Sequence, residues 1–138
     1  MFNKILLATD GTEHGLETVK RAAHLASIEQ DASVTVLYVI DANSSKHDVI
    51  SQGSIGVDHT RYERVRPIEE QLNFKGVPYT LEMVKGDPSR EISDYANRHE
   101  YDIVVMGSRG LNAFQEVLLG SVSHKVTREV DCPVMIIK

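Results

Sequence analysis

The sequence contains few of the features that mark disulfide-bonded, membrane-spanning or nucleic-acid-binding proteins. Its 138 residues include a single cysteine, Cys132, so no disulfide can form within the chain. No apolar stretch approaches the roughly 20 residues of a membrane helix, and the run Ile5 to Ala8 is too short for a signal peptide. Fifteen Lys and Arg against 20 Asp and Glu give a net charge of −5, without the basic stripe that nucleic acid needs. We therefore expect a cytoplasmic protein that binds neither nucleic acid nor membrane, with Cys132 as a small core residue.

Several motifs of nucleotide enzymes are absent as well. The sequence has no G-x-x-x-x-G-K-[ST], which argues against a Walker-type ATPase, and no G-x-G-x-x-G after its first apolar run, which argues against a dinucleotide dehydrogenase. The triplet Glu13-His14-Gly15 lacks the second histidine of the H-x-G-H motif of nucleotidyl transferases, and no pyrophosphatase-type serine-glycine loop occurs there. No general base or nucleophile therefore stands out.

Short apolar runs alternate with segments of helical periodicity along the chain. Runs without polar alternation, such as Ile103 to Met106, indicate strands buried on both faces of a parallel sheet. The predicted strands are Met1–Ala8, Ser33–Ile40, Tyr79–Lys85, Ile103–Met106 and Pro133–Lys138, and the predicted helices follow Thr12, cover His59–Phe74, follow Asp87 and cover Val122–Val130. This repeated β-α order predicts one α/β domain over residues 1–138, a five-stranded, parallel, doubly wound sheet with four helices.

Particular residues predict local features of these elements. Tyr79–Lys85 alternates apolar and polar residues, which places that strand at a sheet edge. Asp87 followed by Pro88 predicts an N-cap and first helical residue, and Pro67 predicts a kink or a helix whose regular part starts near it. His99 falls on the apolar stripe of the third helix, where we expect a core histidine. The polar segment Asp41–Asp58 is long for a compact domain and predicts a lid, binding loop or disordered segment.

Glycines surround the predicted fourth strand and helix. The strand stops at Gly107, Gly110 follows at the third position, and Gly120-Ser121 precedes the helix. Glycine lets backbone N–H groups approach a bulky anion, and the start of a helix carries unpaired N–H groups with partial positive charge. Each glycine alone is explained by a turn or a cap, but their combination predicts an anion site, best suited to the phosphates of a nucleotide.

This spacing, Gly107-x2-Gly110-x9-Gly120-Ser121, resembles the ATP-binding motif of the universal stress protein family. The resemblance extends along the chain, because MFNKILLATD, LYVID and CPVMII look like the family's first strand, second strand end and closing strand. It implies an adenine nucleotide alpha hydrolase-like fold with strand order 3-2-1-4-5. Ligands of open α/β sheets bind where the winding reverses, and in that order Asp10 and Gly107 both border the reversal.

The resemblance also implies which residues contact ATP and its Mg²⁺ or Mn²⁺. Phosphate neighbours are the glycines with Ser121, Val122 and Ser123, and Met106 adjoins the ribose or base. Ala8, Thr9 and Val39 match positions that enclose adenine, although Val39 also suits ordinary core packing. Asp10 can bond the nucleotide, help to hold the cation, or cap a turn. Arg109 can pair with phosphate or remain a solvated loop charge. The implied ATP-binding residues are Ala8, Thr9, Asp10, Val39, Met106, Gly107, Arg109, Gly110, Gly120, Ser121, Val122 and Ser123.

Three functions remain open on the sequence. The first is a dimeric, ATP-dependent stress-response sensor or regulator with a further protein partner still to be identified. The second is slow ATP hydrolysis or self-phosphorylation in the same pocket, with Ser108, Ser121 or Ser123 as acceptor. The third is an interaction module that binds no nucleotide. The apolar strand Val134–Ile137 would lie at an open sheet edge in the 3-2-1-4-5 order, and pairing with a second copy would cover it. A monomer protected by Lys138 is the alternative.

Overall fold

The computed structural model describes residues 1–10, 15–41, 63–108 and 120–138. Within them the predicted alternation of strands and helices is confirmed. In chain order the elements are β1 (Lys4–Thr9), α1 (Gly15–Ile28), β2 (Ser33–Asp41), α2 (residues 63–74), β3 (Tyr79–Gly86), α3 (Pro88–Arg98), β4 (Ile103–Gly107), α4 (Ser121–Glu129) and β5 (Val134–Ile137). Their ends differ from the predicted ones by a few residues where both can be compared.

All five strands form one parallel sheet in the order β3-β2-β1-β4-β5. The predicted order 3-2-1-4-5 is thus confirmed. In the register of the sheet, Leu7 on β1 pairs with Val105 on β4, and Gly107 at the end of β4 pairs with Ile137 on β5. The winding reverses between β1 and β4, because β2 and β3 lie on one side of β1 and β4 with β5 lies on the other.

Two apolar layers cover the sheet, one on each face. In β1, Leu7 packs on the face covered by α1 and α2, whereas Leu6 packs on the face covered by α3 and α4. Val19 of α1, Ile92 of α3 and Val126 of α4 are buried in these layers. Successive side chains of a strand point to opposite faces, so a continuous apolar run serves both layers. Burial of each such side chain contributes about 1.5–3 kcal/mol.

The N-terminus of α3 confirms the predicted cap. Asp87 has extended backbone, its side chain accepts a hydrogen bond from the N–H of Arg90 at 3.2 Å, and Pro88 is the first helical residue. On α2, Val65, Ile68 and Leu72 form the buried face, and Pro67 is exposed near the start of its described part. Thr12, which precedes the first predicted helix, and the first four residues of the predicted helix His59–Phe74 lie outside the described residues.

Strand β3 confirms the prediction of an edge strand. Its apolar residues Tyr79, Leu81 and Met83 are half-buried, and Thr80 and Glu82 between them are exposed. Alternation of this kind is expected where one face of a strand packs on the core and the other is open to water. The strand order places β3 at one end of the sheet, so the alternation along its sequence predicted its position correctly.

The prediction of a core histidine at position 99 is wrong. Helix α3 ends at Arg98, so His99 is its C-cap, outside the repeating helical geometry on which the predicted stripe depends. The residue is exposed, and its ring centroid lies 4.4 Å from that of Tyr95.

Cys132 is half-buried rather than fully in the core, and this burial raises the pKa of its thiol. None of the described helices is long and apolar enough to cross a membrane.

Candidate functional site: the mouth of helix α4

The candidate site lies at the carboxyl edge of the sheet, where β1 and β4 end side by side. Thr9 ends β1 and pairs with Tyr38 of β2, while Gly107 ends β4 and pairs with Ile137 of β5. Parallel strands bring their carboxyl ends to a common edge, and the helices that follow on either side of the reversal leave a crevice there. Asp10 comes directly after β1 and therefore borders this crevice.

Two hydrogen bonds hold the start of α4 against the end of β4. The N–H of Gly120 donates to the carbonyl of Ser108 at 2.7 Å. The hydroxyl of Ser123 donates to the carbonyl of Gly107 at 2.8 Å. We call these two bonds the strand–helix clamp. Because they join residues on either side of the segment 109–119, they fix the first turn of α4 beside the last residue of β4.

The N-terminus of α4 has no side-chain cap. Gly120 is the N-cap, with φ −66° and ψ 161°, and it has no side chain with which to cap the first turn. The first hydrogen bond inside the helix runs from the N–H of His124 to the carbonyl of Gly120 at 2.9 Å. The N–H groups of Ser121, Val122 and Ser123 therefore have no carbonyl within the helix to bond. The first turn contains no acidic residue. This helix mouth is therefore a concentration of N–H donors and partial positive charge.

The N-terminus of helix α3, the helix that precedes β4 in the chain, is capped by a side chain, in contrast to that of α4. Its N-cap Asp87 accepts hydrogen bonds from the N–H of Arg90 and, at 2.8 Å, from the hydroxyl of Ser89, and Glu91 lies in its first turn. The Ser89 hydroxyl bond, followed by that from the Arg90 backbone, lowers the pKa of the Asp87 carboxyl. Among the described residues, the chain thus supplies an anion at α3 and none at α4, which leaves the α4 mouth suited to an external anion.

Three of the four residues expected around the base and ribose lie on one face of the sheet. Ala8, Val39 and Met106 belong to the apolar layer under α3 and α4 and are 6%, 6% and 5% exposed. Val122 at the helix mouth is half-buried against the same layer. The structure therefore brings these residues together near the carboxyl edge of the sheet. They are members of the core, and only a small fraction of each is exposed.

Thr9 ends β1 and Asp10 follows it, and both make polar interactions in the folded chain. A Cβ at Gly15, the first residue of α1, would lie 3.2 Å from the Thr9 hydroxyl oxygen. Any larger residue at position 15 would press on Thr9, so glycine lets α1 begin close to the end of β1. No group of three or more His, Cys, Asp or Glu suited to a metal ion occurs in the described part of the chain.

The serines of the site differ sharply in exposure. Ser108 and Ser123 are 4% and 3% exposed, whereas Ser121 is open to solvent. The Ser123 hydroxyl is engaged by Gly107, a contact that the sequence does not indicate. The remaining predicted site residues, Arg109 and Gly110, and nearly all of the segment Asp41–Asp58 lie outside the described residues.

Sequence reasoning missed the backbone part of this site. The N–H of Ser108 donates to the carbonyl of Ile137 at 2.9 Å, and the carbonyl of Ser108 accepts from Gly120. The backbone of a single residue, Ser108, thus links β5, β4 and the mouth of α4. Every residue type has this N–H and C=O, so no pattern of side chains could have found the contact.

Taken together, the sheet order and the uncapped helix at its reversal define a doubly wound α/β protein with a site of the kind that accepts phosphate groups. Comparison with known proteins narrows the class. The universal stress protein family matches residues 1–138, and the chain belongs to this family. It is 33% identical to the universal stress protein YxiE of Bacillus subtilis and 35% identical to one from Thermus aquaticus, with 100% of each chain covered in both cases.

Solved structures agree with the fold. The MJ0577 protein of Methanocaldococcus jannaschii is 28% identical, with a TM-score of 0.82 over 100% of this chain and 96% of the other. Two family members with lower identity have been solved with adenine nucleotides. One is in complex with cAMP (22% identity, TM-score 0.74, 99% and 97% covered), and one from Archaeoglobus fulgidus is in complex with dAMP (21% identity, TM-score 0.69, 100% of both chains covered). At these identities the likeness of the two structures shows the shared fold alone.

Proposed function

We propose that this protein binds ATP, together with Mg²⁺ or Mn²⁺, at the mouth of α4, and that it acts in the cytoplasm as a dimeric, nucleotide-dependent regulator of a stress response. The observation that carries the proposal is the uncapped N-terminus of α4, held against Gly107 at the reversal of the sheet. Relatives of this fold that were solved with cAMP and dAMP support an adenine nucleotide as the ligand.

The proposal assigns a part of the nucleotide to each side of the crevice. The first-turn N–H groups of α4 receive the phosphates, and Gly107, Arg109 and Gly110 are assigned to the same phosphates. Met106 lies beside the ribose, and the base rests between Ala8, Thr9 and Val39. Asp10 supplies a carboxylate oxygen to the ribose or to the cation that accompanies the phosphates, a ligand that Mg²⁺ prefers. The net charge of −5 means that attraction to ATP comes from local dipoles.

The helix mouth can be tested by placing an anion in it. Gly120 has φ −66° and ψ 161°, a conformation open to any residue, so both Gly120→Asp and Gly120→Asn should fold. Each supplies an N-cap oxygen and should raise helix stability by a few tenths of a kcal/mol. Only Asp adds a negative charge where the phosphates should bind. We expect Gly120→Asp to weaken ATP binding about 100-fold, corresponding to about 2.7 kcal/mol, and Gly120→Asn to weaken it much less.

The measurement is titration calorimetry with ATP and MgCl₂, preceded by analysis of the nucleotide retained in gently purified wild-type protein. Melting temperatures of both variants show whether they are folded. Equal ATP affinity in wild type and Gly120→Asp would mean that phosphates do not bind at this helix. Wild-type protein that neither retains nor takes up ATP would favour the interaction module without nucleotide.

The dimer is proposed through β5. Val134–Ile137 is an apolar, half-buried strand at the end of the sheet, and its outer edge offers backbone groups to a second copy. We expect Met135→Lys on β5 to convert a dimer into a monomer, because it would place like charges on the adjacent strands of the two copies. Thr80→Lys on the opposite edge strand β3 is the matched control and should leave the dimer intact. Sedimentation velocity separates the two results, and a Met135→Lys protein that stays dimeric would refute this interface.

A second candidate function is self-phosphorylation at Ser121. This residue is the exposed serine of the site, whereas Ser108 and Ser123 are buried. In this reaction the Ser121 oxygen bonds to the γ-phosphorus of ATP, ADP leaves, and the hydroxyl proton passes to solvent. Intact-mass analysis after incubation with ATP should show one added phosphate in wild type and none in Ser121→Ala. Absence of both the phosphate and ADP above background would exclude it.

A further inference from the structure

We propose that Ser123 is a positioning residue for the phosphate site and that its hydroxyl binds the end of β4 rather than the nucleotide. The inference rests on the proposed ATP site and assigns a specific task to one of its residues. The residue would set the place of the α4 mouth, so its effect on ATP would be transmitted through the backbone of the first helical turn.

The first support is the hydrogen bond that Ser123 makes. Its side chain is 3% exposed, and its hydroxyl donates to the carbonyl of Gly107 at 2.8 Å. A serine hydroxyl has one hydrogen. While that hydrogen is donated to the Gly107 carbonyl, the hydroxyl cannot donate it to a phosphate oxygen. The lone pairs that remain on the hydroxyl would repel an anion. The side chain therefore serves the protein's own backbone.

The second support is the way this bond combines with the neighbouring one. Gly107 and Ser108 are consecutive, and their carbonyls receive the Ser123 hydroxyl and the Gly120 N–H. The first turn of α4 is thus fixed at both of its ends, at the N-cap and at the third helical residue. The N-cap Gly120 has no side chain to help fix it. Among the described residues, the strand–helix clamp is what determines where the N–H groups of this turn lie relative to β4.

The consequence for ATP follows from the short range of helix-end electrostatics. The attraction of an anion to a helix N-terminus falls off within one turn, and misplacing binding groups by about 1 Å is costly. We expect Ser123→Ala to weaken ATP binding about fivefold to tenfold, comparable to the loss of one hydrogen bond. Adenosine has no phosphate, so its affinity should change less than about twofold.

The test compares Ser123→Ala with a matched variant in the same helix. The Thr127 hydroxyl donates to the Ser123 carbonyl at 2.7 Å, a bond inside α4 that does not reach the strand. Thr127→Ala therefore removes one hydroxyl bond of the same kind without opening the clamp. Ser123→Thr keeps the hydroxyl and should restore most of the ATP affinity. Each full-length protein is titrated with ATP and with adenosine.

Amide hydrogen exchange of the nucleotide-free proteins separates positioning from direct phosphate contact. If Ser123 holds the helix mouth, Ser123→Ala should speed exchange at Gly120 about tenfold or more without any ligand, because opening the clamp frees the Gly120 N–H. Thr127→Ala should leave Gly120 exchange unchanged. If Ser123 only contacted a phosphate and had no positioning role, Ser123→Ala would leave Gly120 exchange in the nucleotide-free protein unchanged.

Reduced ATP affinity together with faster Gly120 exchange in Ser123→Ala would support the inference. Reduced affinity with unchanged exchange would overturn it and make Ser123 a direct ligand, and unchanged ATP affinity would also overturn it. Wild-type protein that binds no ATP would be a different result. It would remove the proposed function itself, and Gly120 exchange would still report whether the clamp depends on Ser123.

Discussion

The side-chain amide of Asn97 on helix α3 donates a hydrogen bond to the carbonyl of Glu129, the last residue of α4, at 3.1 Å. The same side chain accepts one from the N–H of Asp131 at 2.9 Å. One residue thus ties together the ends of two helices and the approach to β5. This contact lies at the opposite end of α4 from the candidate site, so it can be probed without touching the nucleotide residues.

Replacement of Asn97 by alanine should lower the free energy of unfolding by about 1–2 kcal/mol, because two backbone groups lose a partner. Arg98→Ala, at the exposed last residue of α3, should stay within about 0.5 kcal/mol. Urea unfolding followed by circular dichroism measures both variants. Equal stability of Asn97→Ala and wild type would mean that solvent replaces the two bonds at no cost.

Leu72 and Phe74 on α2 provide a test of core packing within one helix. Leu72 is fully buried, and Phe74 is 83% exposed. We expect Leu72→Ala to cost about 2–5 kcal/mol through lost burial and the cavity it leaves. Phe74→Ala, although it removes a larger side chain, should cost no more than about 0.5 kcal/mol. Denaturant unfolding gives both values, and a reversed order would contradict the packing of α2 on the sheet.

Asp87 makes stability depend on pH in a defined direction. Its pKa is lowered in the folded protein, chiefly by the Ser89 hydroxyl bond and then by the Arg90 N–H. A carboxyl with a lowered folded pKa contributes stability above its unfolded pKa, and this contribution is lost as pH falls through the folded value. Asp87→Asn keeps a cap but removes the charge, and should cost about 0.5 kcal/mol at neutral pH.

The stability difference between wild type and Asp87→Asn should shrink between about pH 5 and about pH 3. Thermal unfolding of both proteins across this range measures it. Asp94→Asn, an exposed position on the same helix, controls for general loss of charge. A difference that grows as the solution becomes acidic would contradict the arrangement around Asp87.

Tyr95 should remain protonated in base that ionises ordinary tyrosines. Burial, followed by the charges of Tyr101 and Glu82, raises the pKa of Tyr95 to about 12. At pH 11 the absorbance of phenolate near 295 nm should therefore be nearly the same in folded wild type and folded Tyr95→Phe. In urea at the same pH, wild type should exceed the variant by one tyrosine. A full one-tyrosine difference in the folded proteins would show that Tyr95 ionises normally.

Much of this architecture was predictable because it depends on repeated local patterns. The uninterrupted apolar run at Ile5 to Ala8 indicated a strand covered on both faces, and its side chains do divide between two layers. The alternation along β3 indicated an edge strand, and Asp87 with Pro88 indicated the start of α3. His99 was misjudged because the helical period was extended one residue past the end of the helix.

The sequence by itself determined the alternation of strands and helices, the two-layer core and the glycine-marked segment, because periodicity and backbone preference act over a few neighbouring residues. Only the tertiary structure decided that the Ser123 hydroxyl bonds Gly107, that Gly120 bonds Ser108, and that Asn97 joins two helix ends. These outcomes depend on which backbone carbonyls and N–H groups meet across the fold. Since every residue carries those groups, their pairing is fixed by packing in three dimensions and leaves no mark in the order of side chains.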